Sequence, residues 1–510
     1  MSNLHKLFWG RVASLLAAAM LVALVLVAYG FYHRDAFHQV SAATLSFTGV
    51  WGNLPGDTGG HGVMFADVDD DGNPDLYITL NQNHGAEPDL FFSNQGGWLF
   101  EEESEERDID DSNDGGSHGA AWADLDNDGD YDLYNGATLP PGFGGDDTDD
   151  GENNDLYQND GNGFFTRVTP SVLENNNNRT RAVLALDWDN DGDLDLFSIN
   201  GSDEDTPPEA YRNNGNFNFT EITSGALVNS TGHQGATDTD YDGDGDVDIF
   251  MGNRNGRFGI LRNNGSGSFT IVDPTSIGLP DDVNIAGDGI TTADVNNDGD
   301  LDILLTSDNK GNLYLNDGDG TFTFKDDFSS TDGYMGGFGD LDHDGDLDLV
   351  FAGDNLVYLN NGTGSFSEGP SLPTSGLTDP RAVGFADIDN DGDLDFAFAY
   401  KSSRNNMIRN NFDSGNWLKV ALVSPHGQAG AFGAKTRVYP AGQAESGPLL
   451  GLRESKSNYG YLGQDDPVLH FGLGTHTSVD VVVTFLDGTR VTRVNVPANQ
   501  QILISGQIDD

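Results

Sequence analysis

A nine-residue pattern, DxDxDGxxD, is written seven times in this 510-residue chain and limits what it can fold into more than any other feature. The copies supply Asp67, Asp69, Asp71 and Asp75; Asp124, Asp126, Asp128 and Asp132; Asp187, Asp189, Asp191 and Asp195; Asp240, Asp242, Asp244 and Asp248; Asp294, Asn296, Asp298 and Asp302; Asp340, Asp342, Asp344 and Asp348; and Asp387, Asp389, Asp391 and Asp395. Oxygen ligands two residues apart along a tight loop converge on one hard cation, and the glycine at the sixth position allows the turn that wraps it. With a carbonyl from the seventh position and water, the ligand number suits Ca²⁺ better than Mg²⁺, and up to seven ions are expected. The fifth copy alone has Asn at its third position, which removes one charge and keeps an oxygen.

The flanks decide which structure carries these loops. An EF-hand needs helices and a bidentate glutamate at the twelfth position, which no copy has. The flanks are instead short apolar and β-branched runs, as in FADIDNDGDLDFAFAY, which read as hairpins. The first Asp of each loop follows the last by 57, 63, 53, 54, 46 and 47 residues, room for a four-stranded antiparallel unit. Strands ending in Asn-Gly turns follow each loop, as in AYRNNGNFNFTEIT and LYLNDGDGTFTF. Such units bury their faces only by stacking around a ring, so the expected fold is all-β, a seven-bladed β-propeller over residues 45–415. Phe47-Thr48-Gly49-Val50 has the look of an outer strand yet precedes the first loop, so it is expected to complete the seventh blade and close the ring.

Residues 1–44 hold Lys6 and Arg11, then an apolar run from Val12 to Tyr32 long enough to span a bilayer. That arrangement predicts an exported body, tethered by an N-terminal apolar helix, or freed by cleavage near Val40-Ser41-Ala42 into the periplasm or medium. Export also suits loops that need abundant calcium. A net charge of −59, about −45 with seven divalent ions bound, excludes nucleic acid as a partner. The chain has no cysteine, so disulfides do not hold the fold.

The repeats resemble the FG-GAP or VCBS repeats of integrin α-subunit heads and of many exported bacterial proteins. Residues 416–510 contain GAFGAKTRVY (Gly430 to Tyr439), NYGYLGQDDPVLHFGLG (Asn458 to Gly474) and FLDG (Phe485 to Gly488). They resemble the ASPIC/UnbV domain of cartilage-acidic-protein-like proteins. Gly463 stands where that family usually has Ser, and Phe485-Leu486 where it has Trp-Pro. The strands LKVALV, AKTRVY, VLHFGLG, VDVVVTFL and TRVTRVNV predict a small β-sandwich in their own right. The integrin-type resemblance implies binding of an extracytoplasmic protein, glycan or small molecule.

Six residues before each loop stand His61, His118, Arg181, Gln234, Asp288, Tyr334 and Arg381. On inner strands these polar residues would ring the channel mouth opposite the hairpins, a default ligand site. The competing expectation is an enzyme of lyase, isomerase or cyclase type. His61 and His118 would then serve as acid or base, Arg181 and Arg381 would hold a carboxylate or oxyanion, and Asp288 or Tyr334 would orient a histidine. Other motifs reduce to structure. Gly115-Gly116-Ser117-His118-Gly119 leads into a strand rather than a helix, unlike a nucleophile elbow. Gly433-Ala434-Lys435-Thr436 lacks the adjacent Gly-Lys of a phosphate loop. His470 and His476 read as strand and turn histidines, Asp146 to Asp155 as a solvated loop, and Trp122, Trp188 and Phe338 as packing between blades.

Overall fold

The computed structural model describes residues 44–507 apart from 51–58, 81–87, 110–116, 138–153, 170–171, 174–179, 202–206, 230–233, 254–257, 281–287, 308–309 and 329–334. The apolar run Val12 to Tyr32, the possible processing site, Tyr334 and most of the run Asp146 to Asp155 lie outside the described residues. Among the described residues no helix is long and apolar enough to cross a membrane.

Seven four-stranded antiparallel sheets form the body of the molecule. The strands that lead into the aspartate loops are Val63–Ala66, Ser117–Ala123, Thr180–Leu186, Ala236–Thr239, Gly289–Ala293, Gly336–Gly339 and Pro380–Ala386. Each neighbours the next, and the last neighbours the first, so they form the inner wall of a closed ring. Phe47–Val50 pairs with Asn406–Asn410 as the outer strand of the seventh sheet, the closure that the sequence predicts. The strand after each loop is buried on both faces, which explains its unbroken apolar character, as in Asp395–Tyr400. Core clusters lie between adjacent sheets rather than within them: Trp122 of the second blade meets Tyr77 and Phe91 of the first at 5.7 and 6.3 Å between ring centroids.

A polar ring ties the blades together. An asparagine ends the third strand of each blade or, in the fourth, follows it directly: Asn94, Asn159, Asn213, Asn263, Asn316, Asn360 and Asn410. Each side-chain amide donates to the carbonyl of the second loop residue of the preceding blade, at 2.7–3.0 Å. It also donates to a carbonyl of its own loop, at 3.0–3.4 Å. The chain runs in one direction around the ring, so seven equivalent bridges close it, from Asn94 back to Ile388.

Residues 416–507 fold as two facing sheets. One holds Leu469–Gly474, Asn416–Val423 and Gln500–Ser505; the other holds Gly451–Glu454, Lys435–Pro440, Ser478–Thr484 and Arg490–Pro497. Leu418, Val420, Phe471, Val481, Val483 and Ile504 are part of the core between them. This unit sits on the hairpin end of the propeller, and its segment 455–466 enters the central channel. There Tyr459–Gly460 adds an antiparallel strand to Ala236–Thr239, and Gly463–Gln464 adds a parallel strand to Val63–Ala66. Gln464 closes a two-way bond with Trp122, its side-chain oxygen accepting from the Trp122 N–H at 2.8 Å and its amide donating to the Trp122 carbonyl at 2.9 Å. Leu462 is fully buried, and segment 455–466 fills the channel from the hairpin side.

Candidate functional site

Each aspartate loop is a turn held by its own first residue. The first Asp accepts the N–H of the sixth-position glycine at 2.9–3.2 Å in all seven copies. Those glycines lie at φ between 87° and 102°, where a side chain would be strained. The ninth-position Asp has a different task. One of its oxygens accepts the N–H of the second loop residue at 2.9–3.4 Å. The other accepts the N–H of the bridging asparagine at 2.7–3.0 Å. Asp75, Asp132, Asp195, Asp248, Asp302, Asp348 and Asp395 therefore brace the loop against the third strand, and can still offer a second lone pair to a cation.

Carboxylate oxygens converge within 4.8 Å in several loops, among them Asp67, Asp69 and Asp71; Asp124, Asp126 and Asp132; Asp187, Asp189 and Asp195; Asp240, Asp242 and Asp248; and Asp340, Asp342 and Asp344. The buried Oδ1 atoms of Asp69, Asp126, Asp189, Asp242, Asp342 and Asp389, the third position of six copies, meet no hydrogen-bond donor. The Oδ1 atoms of Asp240, Asp340 and Asp387 at the first position are in the same condition. Burial pushes Asp67, Asp124, Asp187 and Asp294 up to about 7, with repulsion from neighbouring loop carboxylates adding to it and backbone N–H bonds opposing it. Burial likewise carries Asp132 and Asp248 to about 9. Buried anions crowded together without donors cost free energy unless a cation compensates them. This donor set, all oxygen and about five per loop, fits a hard divalent ion. In the fifth loop the Asn296 amide donates to Asp298 Oδ2 at 2.8 Å, and its oxygen accepts the Asp298 N–H at 3.0 Å.

The terminal unit stands on the first aspartates of four of these loops. Lys435 Nζ lies 2.8 Å from Asp240 Oδ2, and Lys419 Nζ lies 2.8 Å from Asp387 Oδ2. The Ala429 N–H donates to Asp124 Oδ2 and the Gly472 N–H to Asp340 Oδ2, both at 2.9 Å. In Asp240, Asp340 and Asp387, one carboxylate oxygen thus faces the terminal unit while the other is left for the loop. His470 Nε2–H donates to the Gly392 carbonyl, 2.9 Å away, the satisfied strand histidine that the sequence suggested.

The polar residues ahead of the loops lie at the inner-strand ends remote from the hairpins. His61, Gln234 and Asp288 bond there to the far ends of the next strands, at Thr79, Gly252 and Thr306. Three are brought together: the His61 and His118 rings lie 4.6 Å apart between centroids, and Arg181 Nη1 is 2.8 Å from His118 Nε2. A guanidinium can only donate, so His118 Nε2 is the acceptor and its proton is on Nδ1. Arg381 pairs with Asp379 at 2.5 Å, and His61 and His118 are each only 2% exposed. Ser117 opens an inner strand, as turn chemistry required. The docking lysines and the bridging asparagines are what reading the sequence missed. The asparagines were visible as strand-ending residues, but their inter-blade partners were not.

A family model for FG-GAP-like repeats matches residues 143–198, 240–305, 294–351 and 340–398, and one for ASPIC and UnbV matches 425–508. Cartilage acidic protein 1 of Mus musculus is 28% identical over 271 residues, 48% of this chain and 40% of that protein. The chain thus matches less than half the length of that relative. Among solved structures, BBS1N from its complex with ARL6DN is similar at 14% identity and a TM-score of 0.44, over 72% of this chain and 97% of that one. Rhamnogalacturonan lyase YesW is similar at 13% identity and a TM-score of 0.41, over 71% of this chain and 75% of that one. At these scores neither bears on what this chain does.

Proposed function

We propose that this chain, an FG-GAP repeat protein with a terminal ASPIC and UnbV domain and related to cartilage acidic protein 1, is an exported binding protein whose propeller is stabilised by calcium. The observation that carries the calcium reading is the set of buried Oδ1 atoms without donors, at the same loop positions blade after blade. The first, third and fifth loop residues would hold the ion with the seventh-position carbonyl, and the ninth would complete the set. Calcium supplies positive charge that relieves the repulsion among these carboxylates. The propeller would then act as a rigid platform for an extracytoplasmic protein, glycan or small ligand, with the N-terminal apolar run as tether or export signal.

Calorimetric titration of the chelated chain with calcium tests this. Saturable uptake of several ions per chain and a rise of at least about 10 °C in Tm are expected, since several kcal/mol of linked binding acts on one fold. Uptake without a Tm change, or no uptake at millimolar calcium, would sink the reading.

The enzyme reading has one observation in its favour, the His61–His118–Arg181 cluster. Burial of both histidines and the acceptor role imposed on His118 fit a brace between blades one to three better than a proton-transfer pair. His118→Gln is therefore expected to lower Tm and leave ligand binding intact. Loss of turnover on any ligand found, at unchanged Tm, would restore the enzyme reading.

A further inference from the structure

Between blades five to seven and the terminal unit lies a cavity of about 80 Å³, bordered on one side by Asp340 of the sixth aspartate loop. At the ~10–15 Å³ that one water requires, it has room for roughly five to eight waters, or a ligand of about that many non-hydrogen atoms. Phe338, Phe385, Leu394 and Leu469 give it an apolar side. Its charged groups are not matched to one another. Lys456 is already held, at 3.3 Å from Glu454 and in contact with the Thr292 hydroxyl. Arg453 is different: it is half-buried, its guanidinium lies over the Phe471 ring at 5.0 Å, and its one hydrogen bond goes to the Leu452 carbonyl at 3.0 Å. Among the described residues it makes no ion pair, which leaves most of its five N–H donors for whatever occupies the cavity. Asp465 and Asp466 line the same space. Asp465 accepts the Phe385 N–H at 2.9 Å and Asp466 the Val468 N–H at 3.1 Å.

We propose that this cavity binds a small zwitterion of free-amino-acid size. The carboxylate would lie on Arg453, the cationic nitrogen against Asp465 and Asp466, and a short apolar body against Phe338 and Phe385. A simple anion would leave two carboxylates facing it, and a simple cation would leave the guanidinium unmatched; a ligand carrying both charges satisfies each. The site borders the sixth aspartate loop, whose Asp340 is part of its lining, lies apart from the His61 cluster, and exists only where both units meet. It rests on the cavity's own geometry and not on the calcium reading.

Calorimetry on the full chain, in saturating calcium, with alanine, valine and glycine betaine tests the proposal. Valinamide, which lacks the carboxylate, and isovalerate, which lacks the nitrogen, are the controls. At least one zwitterion should bind saturably at one per chain, and at least about tenfold tighter than either control. Arg453→Gln and Asp465→Asn should each weaken it by at least about tenfold. Should Arg453→Gln fail to fold, Phe338→Trp, which fills the space and keeps the charges, should abolish binding. No saturable binding by any of the three zwitterions, equal binding of isovalerate, or indifference to these substitutions would overturn the proposal. Calcium uptake measured in the same samples separates this failure from failure of the calcium reading.

Discussion

Asn263 donates its amide hydrogens to Trp188 in one blade and Val247 in its own, while its backbone N–H meets Asp248. Removing that side chain strands two buried carbonyls, each worth about 1–3 kcal/mol when left unsatisfied. Asn263→Ala should therefore lower stability by about 2–3 kcal/mol in urea, while the exposed neighbour Asn264→Ala should stay within about 0.5 kcal/mol. Equal effects would show that the bridge is not what closes the ring. The loop carboxylates give a pH dependence of definite sign. Asp67, Asp124, Asp187 and Asp294 are raised from 3.8 to about 7 in the folded chain. Without calcium, they contribute stability that is fully present below the unfolded value near 3.8 and lost as pH rises through about 7. The chelated chain should thus gain Tm between pH 7 and pH 5, whereas the calcium-loaded chain should lose it as protons displace the metal. A chelated chain that loses Tm over that interval would contradict the burial of these groups.

Within one hairpin, ligands and turn fall inside nine residues, so the loops and their flanking strands were legible in the sequence, and the ring-closing strand was legible because Phe47-Thr48 repeats the outer-strand pattern of other blades. Local spacing alone dictates which oxygens converge. What was not legible is whatever meets the loop from elsewhere: Lys435 reaches Asp240 across 195 residues, and Asn263 reaches Trp188 across 75. Neither carries a local signature, because a buried lysine and a surface lysine are the same letter until the partner is placed. The consequence is that the loops are not equivalent. In the fourth and seventh, an ammonium shares the first aspartate, and a divalent ion placed on the other oxygen of that carboxylate meets a like charge a few ångströms away. Those two loops should fill last in a calcium titration. Lys435→Met should raise the affinity of the weak class by about three- to tenfold, on the scale of 1 kcal/mol for a partly buried like-charge contact. A single class of sites in the parent chain, or no change in the variant, would remove the distinction.

The terminal unit and the propeller share both a surface and an axis, which no reading of two successive domains anticipated. Gly463 shows how tight that join is: a Cβ there would collide with the Val383 carbonyl and the Met335 side chain, which accounts for glycine at this point of the channel segment. Segment 455–466 is held by main-chain pairing to the first and fourth blades and by Gln464 to the second. The rest of the terminal unit stands, through Ala429, Lys435, Gly472 and Lys419, on Asp124, Asp240, Asp340 and Asp387, all first residues of aspartate loops. If the ion fixes those carboxylates, removing it should loosen the base of the terminal unit before it disturbs the blades, whose apolar cores between sheets do not touch the loops' carboxylates. Hydrogen exchange followed by mass spectrometry resolves the order. With calcium, peptides covering 455–466 should be protected as well as those covering the inner strands Val63–Ala66 and Ala236–Thr239. In chelator, protection of 455–466 should fall at least about tenfold while the second strands of the blades, such as Asp395–Tyr400, keep theirs. Protection lost everywhere in one step would mean that channel segment and blades unfold as one unit. Protection unchanged in chelator would mean that the terminal unit holds its place without the metal.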